Sequence, residues 1–113
     1  MAVTDLMHAL LGVGVDVAHY TEAQNIAPPY IVWGETGFTP QENADDHAQT
    51  LLVSGELWYY TADEFDKTVH DILDAFESVG AAWSAPSIGW DNQKKLIVYG
   101  FRWSLPCGYG EVY

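Results

Sequence analysis

Two periodicities stand side by side in this chain, and together they dictate its fold class. From Phe65 onward, Val69, Ile72, Leu73, Phe76 and Val79 follow at offsets of four, seven, eight, eleven and fourteen residues. That spacing gathers them on one face of a helix. Just upstream, Leu51, Val53, Leu57 and Tyr59 fall on one side of an extended chain, and Leu52, Ser54, Glu56, Trp58 and Tyr60 on the other. A helix with one apolar stripe and a strand with one apolar side must each be covered, and they can cover one another. Thr61-Ala62-Asp63-Glu64 has the form of a capping box, so the helix is expected over Thr61–Val79, with Gly80 just past its end. The opposite face of that helix carries Asp63, Asp66, His70, Asp71, Asp74 and Glu77.

The remaining elements are shorter. Thr4 is placed to cap a first helix through Leu6, Met7, Ala9, Leu10 and Leu11, and Gly12 and Gly14 end it. Val13, Val15 and Val17 alternate as a strand would. After Pro28 and Pro29, the β-branched and aromatic run Tyr30-Ile31-Val32-Trp33 is a second strand. Gly34 to Thr50 mixes glycine, proline and acids, and its middle, residues 39–46, is expected to be an exposed loop. Ala81–Trp90 and Lys94–Trp103 form a strand pair around Asp91-Asn92-Gln93. The second of these is apolar on both faces, which places it inside the sheet or under a partner. Pro106, Gly108 and Gly110 make residues 104–113 an irregular tail. The expectation is an α+β fold: a mostly antiparallel sheet with a short N-terminal helix and one long helix packed on it. The 113 residues fit a single domain spanning 1–113.

Charge excludes several functions. Sixteen acids against four bases give a formal net charge of −12. Lys67, Lys94, Lys95 and Arg102 cannot neutralise a row of phosphates or hold the chain on an anionic lipid surface. No apolar run approaches the roughly 18 residues of a membrane span, and no secretory leader pattern is expected at the start. With 49% hydrophobic residues, the chain has the material for a core despite its charge.

Catalytic signals are weak. His8, His19, His47 and His70 have no metal-ligand spacing. Asp45, Asp46 and His47, with Glu42, cluster oxygen donors but match no calcium loop. Gly12-Val13-Gly14 lacks the third glycine of a dinucleotide fingerprint, and Cys107 has no base partner pattern. No catalytic residue, cofactor or metal is assigned. Five tryptophans and seven tyrosines are many for so short a chain, and part of them is expected at a protein–protein contact.

The order of elements carries a resemblance. The first helix is followed by Pro29-Tyr30-Ile31-Val32-Trp33-Gly34-Glu35 and an acidic loop with Asp45-Asp46. Then come Leu57-Trp58-Tyr59-Tyr60-Thr61, Glu64-Phe65-Asp66-Lys67-Thr68-Val69, Ala81-Ala82-Trp83, and a last strand from Lys95 to Trp103. In this succession of short hydrophobic phrases, from Asp5 to Trp103, the chain resembles the tail terminator, or tail completion, proteins of long-tailed bacteriophages. The resemblance implies a structural virion protein and no enzyme. It implies a ring, typically hexameric, at the head-proximal end of the tail tube. Its partners would be other copies of itself, the tail tube protein and a head-completion or connector protein. DNA would pass through without specific binding, and no membrane would be involved. An acidic wall would repel passing phosphates. Two groups are candidates for such a surface: Glu35, Glu42, Asp45, Asp46 and His47 in the loop, and Asp66, Asp71, Asp74 and Glu77 on the helix. The competing expectations are an acidic DNA mimic or other inhibitory binding module, another head–tail connector or tail-tube subunit, and a small ligand-binding or hydrolytic domain.

Overall fold

The computed structural model of the chain describes residues 1–20, 26–41 and 50–113. In chain order the elements are α1 (Val3–Leu11), β1 (Asp16–His19), β2 (Tyr30–Gln41), β3 (Thr50–Thr61), α2 (Thr68–Ser78), β4 (Ala82–Asp91) and β5 (Leu96–Gly108). The strands form one sheet in the order β1-β2-β3-β5-β4, antiparallel everywhere except β1 against β2. The fold is therefore α+β, with two helices on a mostly antiparallel sheet.

Both helices cover the same face of the sheet. Leu6 and Leu10 of α1 and Ile72 and Phe76 of α2 are fully buried against Ile31, Val53, Leu57, Tyr59, Phe101, Trp103 and Leu105. The strand residues are cross-strand neighbours: Ile31 pairs with Tyr59, Leu57 with Phe101, and Val53 with Leu105. Burial alternates residue by residue along β3 from Val53 to Thr61, as the period-2 pattern requires. The interior place of β5, between β3 and β4, explains why both of its faces are apolar.

Among the described residues no helix lies on the second face of the sheet. Its large side chains cover one another instead: Tyr30 stacks on Tyr60, and Trp58 lies across Gly100, the residue opposite it on β5. The result is a surface of half-buried residues, Val32, Trp58, Tyr60 and Val98 among them.

Local structure differs from the sequence expectation at five places. Thr4 is not the cap of α1; Ala2 is, and the Asp5 carboxylate accepts from the Ala2 N–H at 2.8 Å. The first strand begins only at Asp16, because the turn after α1 holds Gly14 at a φ of +95°. Residues 39–41 belong to β2, where Thr39 pairs with Leu52 and Pro40 with Leu51; the rest of the expected loop lies outside the described residues. Ser104 to Gly108 extend β5 instead of forming a tail, because Leu105 and Cys107 alternate inward against Val53 and Leu51.

The fifth difference is the start of α2. Thr61 is the last rung of β3, paired with Ile97 and fully buried, so it cannot also open a helix. Residues 62–67 form turns in which Phe65 takes a left-handed φ of +54° and stands 91% exposed, outside the apolar stripe. The helix begins at Thr68. Its far end follows expectation. Gly80, at a φ of +73°, sends its N–H to the Glu77 carbonyl, and Ala81 sends its own to Phe76, which closes a Schellman turn.

Candidate functional site

Asp66 sits at the joint between sheet and helix. One carboxylate oxygen accepts from the Tyr59 hydroxyl at 2.6 Å and the Thr61 hydroxyl at 2.7 Å. The other accepts from the Thr68 N–H at 2.9 Å, at the positive end of α2. Burial alone would raise its pKa, but these hydrogen bonds outweigh it and hold the carboxyl down at about 2. Tyr59 is pushed up to about 12 by burial and by its bond to the same carboxylate. Asp66 is therefore committed to the fold and is not a free member of the acidic helix face.

The sign of the linkage follows from those shifts. The folded state favours charged Asp66, so its contribution is complete above pH 3.8 and is lost as pH falls towards 2. It favours neutral Tyr59, whose contribution is complete below pH 10 and is lost as pH rises towards 12. The acid arm is worth roughly 1–2 kcal/mol after allowance for solvent screening. Urea midpoints measured from pH 5 to pH 2 are expected to fall less steeply in Asp66→Asn than in the parent chain.

Glu35, placed by sequence in the acidic loop, is a β2 residue whose side chain is 6% exposed. His19 of β1 bonds one carboxylate oxygen, and the Tyr113 hydroxyl donates to the other at 2.6 Å. The Tyr20 hydroxyl donates to the Glu35 carbonyl at 2.9 Å. Burial pushes the Glu35 carboxyl up, and the bonds from Tyr113 and His19 more than offset it, leaving it below the ordinary range. The same bond raises Tyr113 to about 12. The cluster joins β1, β2 and the C-terminal residues; a second tie runs from the Val3 N–H to the Val112 carbonyl at 2.7 Å. No sequence motif marks it, since His19 and Tyr113 lie 16 and 78 residues from Glu35.

Of the other candidates, Asp71, Asp74 and Glu77 are exposed along the outer side of α2, with His70 beside them. Glu42, Asp45, Asp46 and His47 lie outside the described residues. Cys107 is buried in the core, and burial pushes its thiol up, away from a nucleophilic thiolate. Among the described residues no three His, Cys, Asp or Glu side chains gather closely enough to hold a metal ion. No described helix is long and apolar enough to cross a membrane.

Sequence marks β4 as a strand and says nothing of its depth. Nearly all of it is exposed, including Trp83, Ile88 and Trp90. Beside it, on the helix-free face, a shallow groove of about 460 Å³ runs between Ser54, Glu56, Ser84, Arg102 and Ser104. Fold and surface together define an α+β chain whose outer helix face is acidic and whose edge strand β4 is bare. Comparison with protein-family models and with curated proteins finds no match.

Proposed function

We propose that this chain is a structural subunit of a phage tail, one that closes into a ring at the head-proximal end of the tail tube, ends its growth and offers a joining surface to the head. The observation that carries this reading is the sheet with two free edges. β1 and β4 lie at opposite ends of the strand order, each bonded on one side only among the described residues. A subunit with unlike edges on opposite sides can join its copies head to tail, the kind of contact that closes into rings. The resemblance in element order, from the N-terminal helix to the β4–β5 pair, supports the same reading.

Acidity has a role in it. Asp71, Asp74 and Glu77 form an exposed row that offers phosphates no anchoring contact. Six copies would carry about −72 in formal charge, so assembly works against repulsion that salt or divalent cations screen.

Light scattering of the purified chain at rising ionic strength, with and without Mg²⁺, tests this. A closed species of about six subunits that gains population with screening is the expected result. Open-ended polymers would identify a tube-like subunit instead. A monomer at every ionic strength would overturn the ring and leave the acidic inhibitor as the better account.

A further inference from the structure

Ser78 to Trp90 is the longest stretch of this chain without an ionisable side chain, thirteen residues in a protein of net charge −12. It supplies the end of α2 and all of β4 except Asp91. Among the described residues only β5 bonds β4, and the outer row of its N–H and C=O groups has no strand beside it. Exposed edges of this kind are normally guarded by lysines, inward charges, prolines, bulges or shortness. β4 has one such guard, a register shift between Ser84 and Ser87 that spans Pro86. From Ser87 to Trp90 there is none.

The side chains along that half are apolar and bare. Ile88 is opposite Tyr99 and Trp90 opposite Ile97, which sets both on the face that the helices cover elsewhere. The helices do not reach them: Ile88 is 70% exposed and Trp90 59%. An unpaired backbone edge and a bare apolar pair therefore coincide over four residues.

Charge says what covers them. A basic partner would be drawn to the acids of α2, not to a stretch with no charge. A second copy of this chain is repelled by the acidic surfaces, so a contact that uses the uncharged β4 edge, against a β1 edge whose one acid is Asp16, brings together less like charge than one through the outer face of α2. We propose that the β4 edge from Ser87 to Trp90 is the surface through which one copy of this chain joins the next, by strand addition to the β1 edge of its neighbour. The proposal rests on the ring reading above and adds to it the contact itself. Pairing β4 with β4 would be self-complementary and would stop at two subunits; pairing β4 with β1 is head to tail and continues around a ring.

The double variant Ile88→Lys, Trp90→Lys tests it in the full-length chain, under the ionic conditions that assemble the parent. Both positions are exposed, so the melting temperature and circular dichroism are expected to stay near the parent's. Assembly is expected to need about 100-fold more protein, or to disappear. Phe38→Ser, which removes an exposed aromatic from β2, is expected to leave assembly unchanged. Amide exchange on the parent gives an answer that needs no variant: Ser87–Trp90 and Asp16–His19 are expected to exchange more slowly in the assembled protein than in the monomer. A double variant that assembles like the parent, or edge amides that exchange equally in both states, overturns the β4 contact while the ring reading stands. A parent that stops at a dimer, or never associates, overturns both.

Discussion

Ile72→Asp is expected to unfold the chain. Ile72 is fully buried in α2, in the cluster where that helix meets α1 and the sheet. An aspartate there has no water and no positive partner, so it must either ionise in an apolar site or take up a proton at neutral pH. Either route is expected to cost about 5 kcal/mol or more, comparable with the whole stability of a small domain. Asp74, two residues further along, is exposed on the opposite side. Asp74→Asn is expected to change stability by no more than about 0.5 kcal/mol. Urea unfolding followed by circular dichroism reads both, and similar losses in the two variants would mean that the stripe of α2 is misphased.

The second large effect is expected at Gly55, where the reason is space. A Cβ on this β3 residue would lie 2.3 Å from the Gly34 carbonyl oxygen of β2 and 2.3 Å from the Trp103 ring of β5. In a looser fold the ring could turn aside, but here Trp103 is 2% exposed and its indole N–H donates to the Glu56 carbonyl at 3.2 Å. The Gly34 oxygen belongs to the main chain and has nowhere to go. Gly55→Val is expected to cost about 3 kcal/mol or more, through separation of β2 from β3 or displacement of Trp103. Gly37, just past the irregularity in β2, has nothing within 4 Å of the same virtual atom. Gly37→Ala is expected to be neutral or to stabilise by up to about 1 kcal/mol, since it restricts the unfolded chain without a clash. Thermal melts of the two variants separate a packing constraint from a general dislike of substitution in strands.

These two sites also divide what sequence reveals from what it hides. The phase of α2 is legible from spacing alone, because burial in a helix repeats every 3.6 residues whatever the helix packs on. That spacing is enough to mark Ile72 and Phe76 as core and Asp74 as surface. The requirement at Gly55 is not legible, because the atoms that exclude a side chain come from β2 and β5. The capping box at Thr61 shows the opposite failure. Its local chemistry is sound, but Thr61 is already held in the β3–β5 ladder, and a residue cannot satisfy a ladder and a helix start together. Asp66, expected on the solvent face, is instead drawn in by the hydroxyls of Tyr59 and Thr61.

The class of fold, the alternation of β3, the apolar face of α2, its glycine stop and the two apolar faces of the last strand are all written in the order of the residues. Each follows from a period or a local conformational preference carried by neighbours in the chain. Three outcomes belong to the folded molecule alone: Asp66 and Glu35 serve the fold, residues 104–108 continue β5, and β4 is the bare edge of the sheet. They depend on which distant segments become neighbours, and strand order is set by the burial of the whole apolar surface at once.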